Sequence, residues 1–500
     1  MPWFTPEQRI DLDLQAGSSS GSGSAGQLGS ERVPLSPEAD GVSHSDGVST
    51  TTPLSRSRDR NRRAVLTALS SFGARAIGIA TVLISVPLVV GYLGADDYGL
   101  WIAVTSLVGV LSLSDLGLGN GLMQFVSEAK GRDNESDAQL YTSSAFYMLC
   151  AISAVLLLVF TLISQFLSWA GIFNASALQS ADQADMAVAV LVVVTLLAMP
   201  VGLVTQVRLG LQEGFNNGLW QAVGSLASLA AILLAVHLRL SIPWLVLALV
   251  GPLAVASVVN GVTLLRKHRH LIPRPSLVSW PIASRVVKLG LVFFFLQVAF
   301  AVTVSTDNLL VARILGASRV AEYAIPAKLF MIVPMAIGFV LGPLWPAYRE
   351  AFVRDDVAWA RQTFKRSLLL SLLVGVGSVL ALLVAGDALL QFWVGDAVAP
   401  PTSLMVALAA WALTSSVALA FAMFLNGANI IRFQAKLVAV QMVVSLVLSI
   451  ALTRRFGIAG PAWGSTIAMT SCYIVPCAIY VRRFLRQLDA DPVGVEVITQ

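Results

Sequence analysis

Residues 64–123 read AVLTALSSFGARAIGIATVLISVPLVVGYLGADDYGLWIAVTSLVGVLSLSDLGLGNGLM. The stretch is a hairpin: two apolar runs flank a short polar turn, Tyr92-Leu93-Gly94-Ala95-Asp96-Asp97-Tyr98-Gly99. Each run reaches the roughly 20 residues that an α-helix needs to cross bilayer hydrocarbon. Arg75 lies inside the first run, and Asp115 closes the second within Ser114-Asp115-Leu116-Gly117-Leu118-Gly119. Ionisable groups at lipid depth are costly unless they face a bundle interior or a watery cavity. Both are therefore candidate functional groups.

The rest of the chain repeats this pattern. Of 500 residues, 56% are hydrophobic and 12% charged, with mean hydropathy +0.77. A soluble domain carries about 25% charged residues. Backbone polar groups in lipid must pair within the protein, and runs this long and uniformly apolar read as helices rather than barrel strands. The expected fold class is an all-α polytopic membrane protein of twelve transmembrane helices. The spans run approximately over 64–92, 98–124, 140–169, 185–207, 219–238, 243–265, 288–315, 321–346, 367–393, 403–426, 434–453 and 459–481. The net charge of +5 sits in short loops, so a nucleic-acid partner is rejected. Cys150, Cys472 and Cys477 lie in apolar runs and read as small hydrophobes, without metal-ligand spacing. No cofactor or metal is expected. No P-loop or H-E-x-x-H word is present, and the G-x-S-x-G match at Gly17–Gly21 is part of a Gly/Ser-rich tract, so ATP hydrolysis by a P-loop is excluded and an enzyme is not expected.

Residues 1–63 read as a Gly/Ser-rich cytoplasmic tail ending in the basic cluster Arg56, Arg58, Arg60, Arg62 and Arg63. With the N-terminus inside, about 24 Lys and Arg flank the inner ends of the spans against about 5 at the outer turns. That bias puts both termini in the cytoplasm; the expected location is the inner (plasma) membrane, as a multi-pass protein. A basic linker, 266–287, separates an N-terminal six-helix lobe, 64–265, from a C-terminal one, 288–481; a short cytoplasmic tail, 482–500, follows. Leu93-Gly94-Ala95 after span one is echoed by Leu315-Gly316-Ala317 after span seven. Leu211-Gln212-Glu213-Gly214 after span four is echoed by Leu425-Asn426-Gly427-Ala428-Asn429 after span ten. Repeats of six spans are parallel. Transporters built this way hold substrate between their halves and rock one against the other.

Four residues are candidate cavity groups. Arg75 offers a guanidinium suited to phosphate. Lys328 in span eight, between Pro326 and Pro334, either pairs with Asp307 of span seven or meets substrate. Asp115 either caps a helix, pairs with Arg75, or lines the cavity. Asp115 and Asp307 are also candidates for ion coupling. Glu213, Arg349 and Glu350 fall at inner span ends and read as interfacial, and Gln124 is polar without an assigned role.

Tyr92-Leu93-Gly94-Ala95-Asp96-Asp97-Tyr98-Gly99 resembles the L-G-x-x-x-Y-G word after the first span of the polysaccharide transporter family. This is the Wzx-type flippase branch of the multidrug/oligosaccharidyl-lipid/polysaccharide exporter superfamily. Asp115-Leu116-Gly117-Leu118-Gly119 resembles its D-L-G-x-G word, and Asp307 to Gly316 resembles its Asp-containing seventh span. The resemblance covers nearly all of the chain after residue 63. It implies two lobes around a central cavity, and a polyprenyl-pyrophosphate-linked oligosaccharide moved from the inner to the outer leaflet. A cationic cavity for pyrophosphate is consistent with Arg75 and Lys328. The implied partners are the lipid-linked glycan, membrane lipids, and the glycosyltransferases and polymerase of the same pathway. Ala321-Glu322-Tyr323 departs from the family pattern, which has a glycine before the tyrosine. Two other readings stand beside this one: an ion-coupled drug or small-molecule antiporter of the same superfamily, and a multispan glycosyltransferase using Asp96-Asp97.

Overall fold

The structure, a computed structural model, describes residues 53–167, 169, 178–316, 319–394 and 400–490. It is a helical bundle: α1 (Pro53–Leu111), α2 (Leu118–Gly131), α3 (Glu135–Ser164), α4 (Leu178–Gly210), α5 (Gly214–His237), α6 (Ile242–Lys267), α7 (Trp280–Leu315), α8 (Val320–Leu341), α9 (Leu344–Val353), α10 (Val357–Val394), α11 (Thr402–Gly427), α12 (Ile431–Phe456) and α13 (Gly460–Ala468). A π-helical turn, Met469–Ile474, joins α13 to α14 (Val475–Ala490). Among the described residues, ten runs are long and apolar enough to cross a membrane, and the run Ile431–Leu488 holds two crossings. The segment from Ala95 into the first turns of α2 supplies the remaining one. Side chains such as Phe166, Val384 and Phe392 stand 88%, 88% and 92% exposed. In water such exposure is a liability; in lipid it is solvation. The chain is a multi-pass membrane protein.

Local chemistry explains the breaks. Gly94 (φ 78) kinks α1 between the first two spans, and Gly316 (φ 100) ends α7 before the eighth. The repeated Leu-Gly words thus supply a left-handed residue that glycine adopts without steric cost. The second span is not the continuous helix expected over 98–124. Leu116 (φ 49) and Gly117 (φ 71) interrupt it, and α2 restarts beyond them. The eighth span is likewise interrupted at Gly342-Pro343, before α9. The first helix starts at Pro53, so Arg60, Arg62 and Arg63 belong to a helix rather than a tail. The last helix similarly runs past residue 481, to Ala490.

The two halves end their corresponding helices alike. After α2, Arg132, Asp133 (φ 51) and Asn134 donate their N–H groups to Glu128, Lys130 and Ala129. After α9, Arg354, Asp355 (φ 55) and Asp356 donate theirs to Glu350, Phe352 and Ala351. Asn134 then caps α3 by accepting from the Asp137 N–H at 3.1 Å. Asp356 caps α10 by accepting from Trp359 at 3.2 Å. The ends of α4 and α11 match in the same way, with Gln212 (φ 58) and Asn429 (φ 62) at equivalent turns. Hydrophobic clusters follow the same division. Two are built from helices before residue 268 with little from beyond it, and two lie wholly within α7–α14. The linker after α6 forms two 3-10 turns, Arg269–Leu271 and Pro275–Leu277, and lies against the first half. Ser143 and Ser144 of α3 accept the backbone N–H groups of Arg274 and Ser279.

Candidate functional site

The two halves meet most closely at the end of the bundle that carries the N-terminal helix start. Glycines permit it. A methyl on Gly117 would stand 2.3 Å from the Gly290 carbonyl of α7, and one on Gly121 2.9 Å from the Val286 carbonyl. Above that contact, Met123, Phe293, Trp345 and Ile431 form an apolar plug, with the Phe293 and Trp345 rings 4.9 Å apart.

A polar layer follows along α2. The Gln124 amide donates to the Asn426 carbonyl at 2.9 Å and accepts from Trp345 Nε1 at 2.6 Å. One turn on, Arg349 of α9 donates to Glu128, whose other oxygen holds Arg132 at 2.9 Å. Next, Lys130 Nζ lies 3.7 Å from Glu350, and Gln212 donates to the same carboxylate at 2.6 Å. Finally Arg354 forks onto Asp133, at 2.9 and 2.5 Å. Arg60, 3% exposed, completes the layer by pairing with Asp356 while its guanidinium lies 4.5 Å over the Trp359 ring. Met123 to Asp133 spans about 15 Å of helix, so the seal is several layers deep. Arg349 and Glu350 are therefore not interfacial: they are 2% and 7% exposed, between the halves. Sequence patterning named both but could not place them between the halves, because a lipid-facing helix end and a buried contact between halves look the same.

Burial pushes the Lys130 ammonium down to about 8, against an opposing pull from Glu350. At the turn after α4, burial works to raise the Glu213 carboxyl. Hydrogen bonds from Lys267 and His268 outweigh it and hold the group below its ordinary range. Glu213 also takes Arg208 at 3.2 Å, so this cluster is a structural knot of the first half. His268 and His270 serve glutamates there, Glu213 and Glu135, and no metal-holding group of side chains occurs among the described residues.

The four candidates do not converge on one pocket. Arg75 is exposed, with its guanidinium 5.4 Å from the Phe339 ring of α8, in the opposite half. Lys328 is exposed on the same helix. At 100° per residue, Lys328, Met335 and Phe339 share one face, with Lys328 about 16 Å further from the sealed end. Arg75 thus faces the opposite half, and Lys328 lies on the face of α8 that carries Phe339. Asp115 makes no ion pair with Arg75 among the described residues. Its carboxylate accepts the N–H groups of Gly117 at 3.0 Å and Gly119 at 3.4 Å, which ties down the start of α2. It also lines a cavity of about 340 Å³ inside the first half, with Ser112, Thr195, Gln206 and Ser257. Asp307 is not paired with Lys328. It is 9% exposed within the second half, where Tyr323 donates to it at 3.1 Å. Ser465 also hydrogen-bonds to Asp307, and the Ser445 and Ser465 hydroxyls lie 3.0 Å from each other.

Comparison with known proteins fits this architecture. A Salmonella typhi protein described as "Putative O-antigen transporter" is 21% identical over 318 residues, covering 63% of this chain and 70% of its own. A Shigella flexneri protein of the same description is 23% identical over 321 residues, covering 61% and 70%. Both are named for transport. Among solved structures, an outward-facing multidrug resistance MATE family transporter of the MOP superfamily superposes with TM-score 0.72 at 12% identity. The match covers 86% of this chain and 97% of that one. A MOP superfamily transporter from Pyrococcus furiosus gives the same values. At such identities the likeness is one of fold. Residues 68–352, more than half of the sequence, match the family described as polysaccharide biosynthesis protein, in agreement with the words at Tyr92–Gly99 and Asp115–Gly119, and the chain belongs to that family.

Proposed function

We propose that the chain is a flippase that moves a polyprenyl-pyrophosphate-linked oligosaccharide from the inner to the outer leaflet by alternating access. The observation that carries this reading is the pair of exposed cations, Arg75 over Phe339 and Lys328 further along the same face of α8. A pyrophosphate crossing hydrocarbon unaided meets a very large desolvation penalty. Two cations at different depths of a cleft between the halves offset it in stages, while the prenyl tail stays in lipid. The excess of Lys and Arg supports placing the sealed end in the cytoplasm of a plasma-membrane protein. Residues 64–265 and 288–481 are then the two bodies that rock. Glycosyltransferases and a polymerase acting before and after transfer are the pathway partners.

Asp307 is the better coupling group of the two acids. Asp115 is engaged as a helix cap, whereas Asp307 is buried among hydroxyls. The antiporter reading calls for acids facing the cleft, and the groups that face it here are cations.

The test is flipping of lipid-linked oligosaccharide in proteoliposomes by wild type, Arg75→Ala and Arg75→Lys. Loss in Ala with partial rescue in Lys supports a cationic headgroup site. Full activity in both removes Arg75 from the mechanism. Transport of small cations without any flipping by wild type favours the antiporter.

A further inference from the structure

We infer that the polar layer at the sealed end is itself a docking site for the anionic headgroup, with the Glu128 carboxylate standing in for a phosphate. This rests on the flippase reading and names a second, earlier contact for the same substrate class.

The argument starts from Arg349. It is 2% exposed, yet among the described residues only its Nη2 has a hydrogen-bond partner, Glu128. Its Nε and Nη1 are buried without one. A guanidinium presents five donors in a planar fork that matches carboxylate or phosphate. Leaving charged donors unpaired in the interior costs more than leaving neutral ones so. The arrangement is therefore poor as a purely structural ion pair, and it is completed by a ligand with more acceptor oxygens. Pyrophosphate supplies these, with more negative charge than one carboxylate. Glu128 meanwhile need not be stranded when Arg349 leaves, because Arg132 already holds its other oxygen at 2.9 Å.

The position fits the task. Arg349 lies between the halves at the end proposed to face the cytoplasm, about one helical turn below the Gln124–Trp345 contact and the apolar plug. A headgroup arriving from that side meets Arg349 before it reaches Arg75. Exchange of Glu128 for pyrophosphate on Arg349 separates α2 from α9 and opens the seal. Transfer of the pyrophosphate inward returns Arg349 to Glu128 and closes it. Opening is thus conditional on an anion, and the closed state is restored by the substrate's own departure.

The test uses the full chain in nanodiscs, with Cys150, Cys472 and Cys477 replaced by alanine and spin labels at Ser136→Cys and Gln362→Cys, both exposed and on opposite halves. Inorganic pyrophosphate is the probe, its affinity read by calorimetry and opening by the distance between labels. Glu128→Gln and Arg349→Lys both weaken the same latch, so both widen the distance without ligand. Docking predicts opposite affinities: Glu128→Gln tightens pyrophosphate binding and Arg349→Lys weakens it, each by tenfold or so, with Arg75→Ala leaving the opening response in place. A latch without a docking role predicts tighter binding in both variants, because both populate the open state for a deeper site. That result overturns the inference, as does a wild type whose label distance ignores pyrophosphate. If Arg349→Lys does not fold, Glu128→Gln is compared with and without Arg75→Ala: tightening that survives Arg75→Ala supports docking, and tightening lost with Arg75, or unchanged affinity, refutes it. Failure of wild type to flip lipid-linked oligosaccharide, with the pyrophosphate response intact, refutes the flippase reading instead and leaves the anion site standing.

Discussion

Closure of the seal should strengthen as pH rises from 7 to 9, and Lys130 should be the cause. In the closed state burial holds its ammonium near 8. Once the halves part and water reaches it, an ordinary lysine value near 10.4 is expected. At pH 7 both states carry the proton, and the closed state bears the full penalty of burying it. At pH 9 the closed state has released it in about nine molecules of ten, whereas the open state still holds it. The closed-to-open ratio therefore rises about tenfold. The charged groups acting on Lys130 are Glu350, Arg63, Glu213 and Arg354, and none of these residue types titrates ordinarily in that interval. Glu350 keeps Gln212 and Arg354 when Lys130 becomes neutral. The assay is the label distance across the seal, from Ser136→Cys to Gln362→Cys, measured across the pH series in wild type and Lys130→Met. The wild-type population should shift towards the short distance with rising pH, and the Met variant should be flat. Opening with rising pH, or an unchanged slope in Lys130→Met, refutes the argument.

Three further outcomes are expected. Gly117→Ala forces a side chain onto a residue at φ 71 with its Cβ 2.3 Å from the Gly290 carbonyl. Left-handed strain of about 1–2 kcal/mol and overpacking of about 1–3 kcal/mol should lower the thermal midpoint in detergent well beyond Gly290→Ala, whose nearest contacts are 3.1 Å. Trp345→Phe keeps the ring in the plug but removes the donor to Gln124. The orphaned buried oxygen should cost about 1–3 kcal/mol, seen as a larger open population in the label distances. Asp307→Asn preserves shape and the Tyr323 contact while removing the titrating proton. Flipping driven by a proton gradient should fall to the rate seen without one, and a variant that still responds to the gradient excludes Asp307 from coupling.

Much of the fold was legible in the sequence because lipid leaves helices few alternatives. Run length gave the twelve crossings, and the Leu-Gly words marked turns that need a left-handed residue at Gly94 and Gly316. What periodicity missed were breaks made by local hydrogen bonding. Leu116 adopts φ 49 although leucine is a good helix former, because Asp115 accepts the following N–H groups and restarts the helix. The candidate site was legible only in part. Arg75 and Lys328 stood out as charges inside apolar runs. Arg349, Glu350, Glu128 and Asp133 did not, since charges at span ends are expected anyway, and only the pairing of sequence-distant ends distinguishes a seal from a lipid anchor. The basic stretch before the first span divides in the same way: Arg60 is buried in an ion pair, and Arg63 remains exposed.

The interruption at Asp115–Gly117 makes α2 a rigid arm on a pivot. From Gly117, Gln124 lies about 10 Å out and Asp133 about 24 Å out along the helix axis. A swing of only about 10° displaces Gln124 by about 2 Å and the Asp133 tip by about 4 Å. The fork onto Arg354 at the tip must therefore part before the Glu128–Arg349 pair, and that pair before the Gln124–Trp345 bond. Separation of the halves is then sequential, like a zip drawn from the water side inwards. Most of the electrostatic work falls in its first few degrees, and the last few degrees release only the apolar plug.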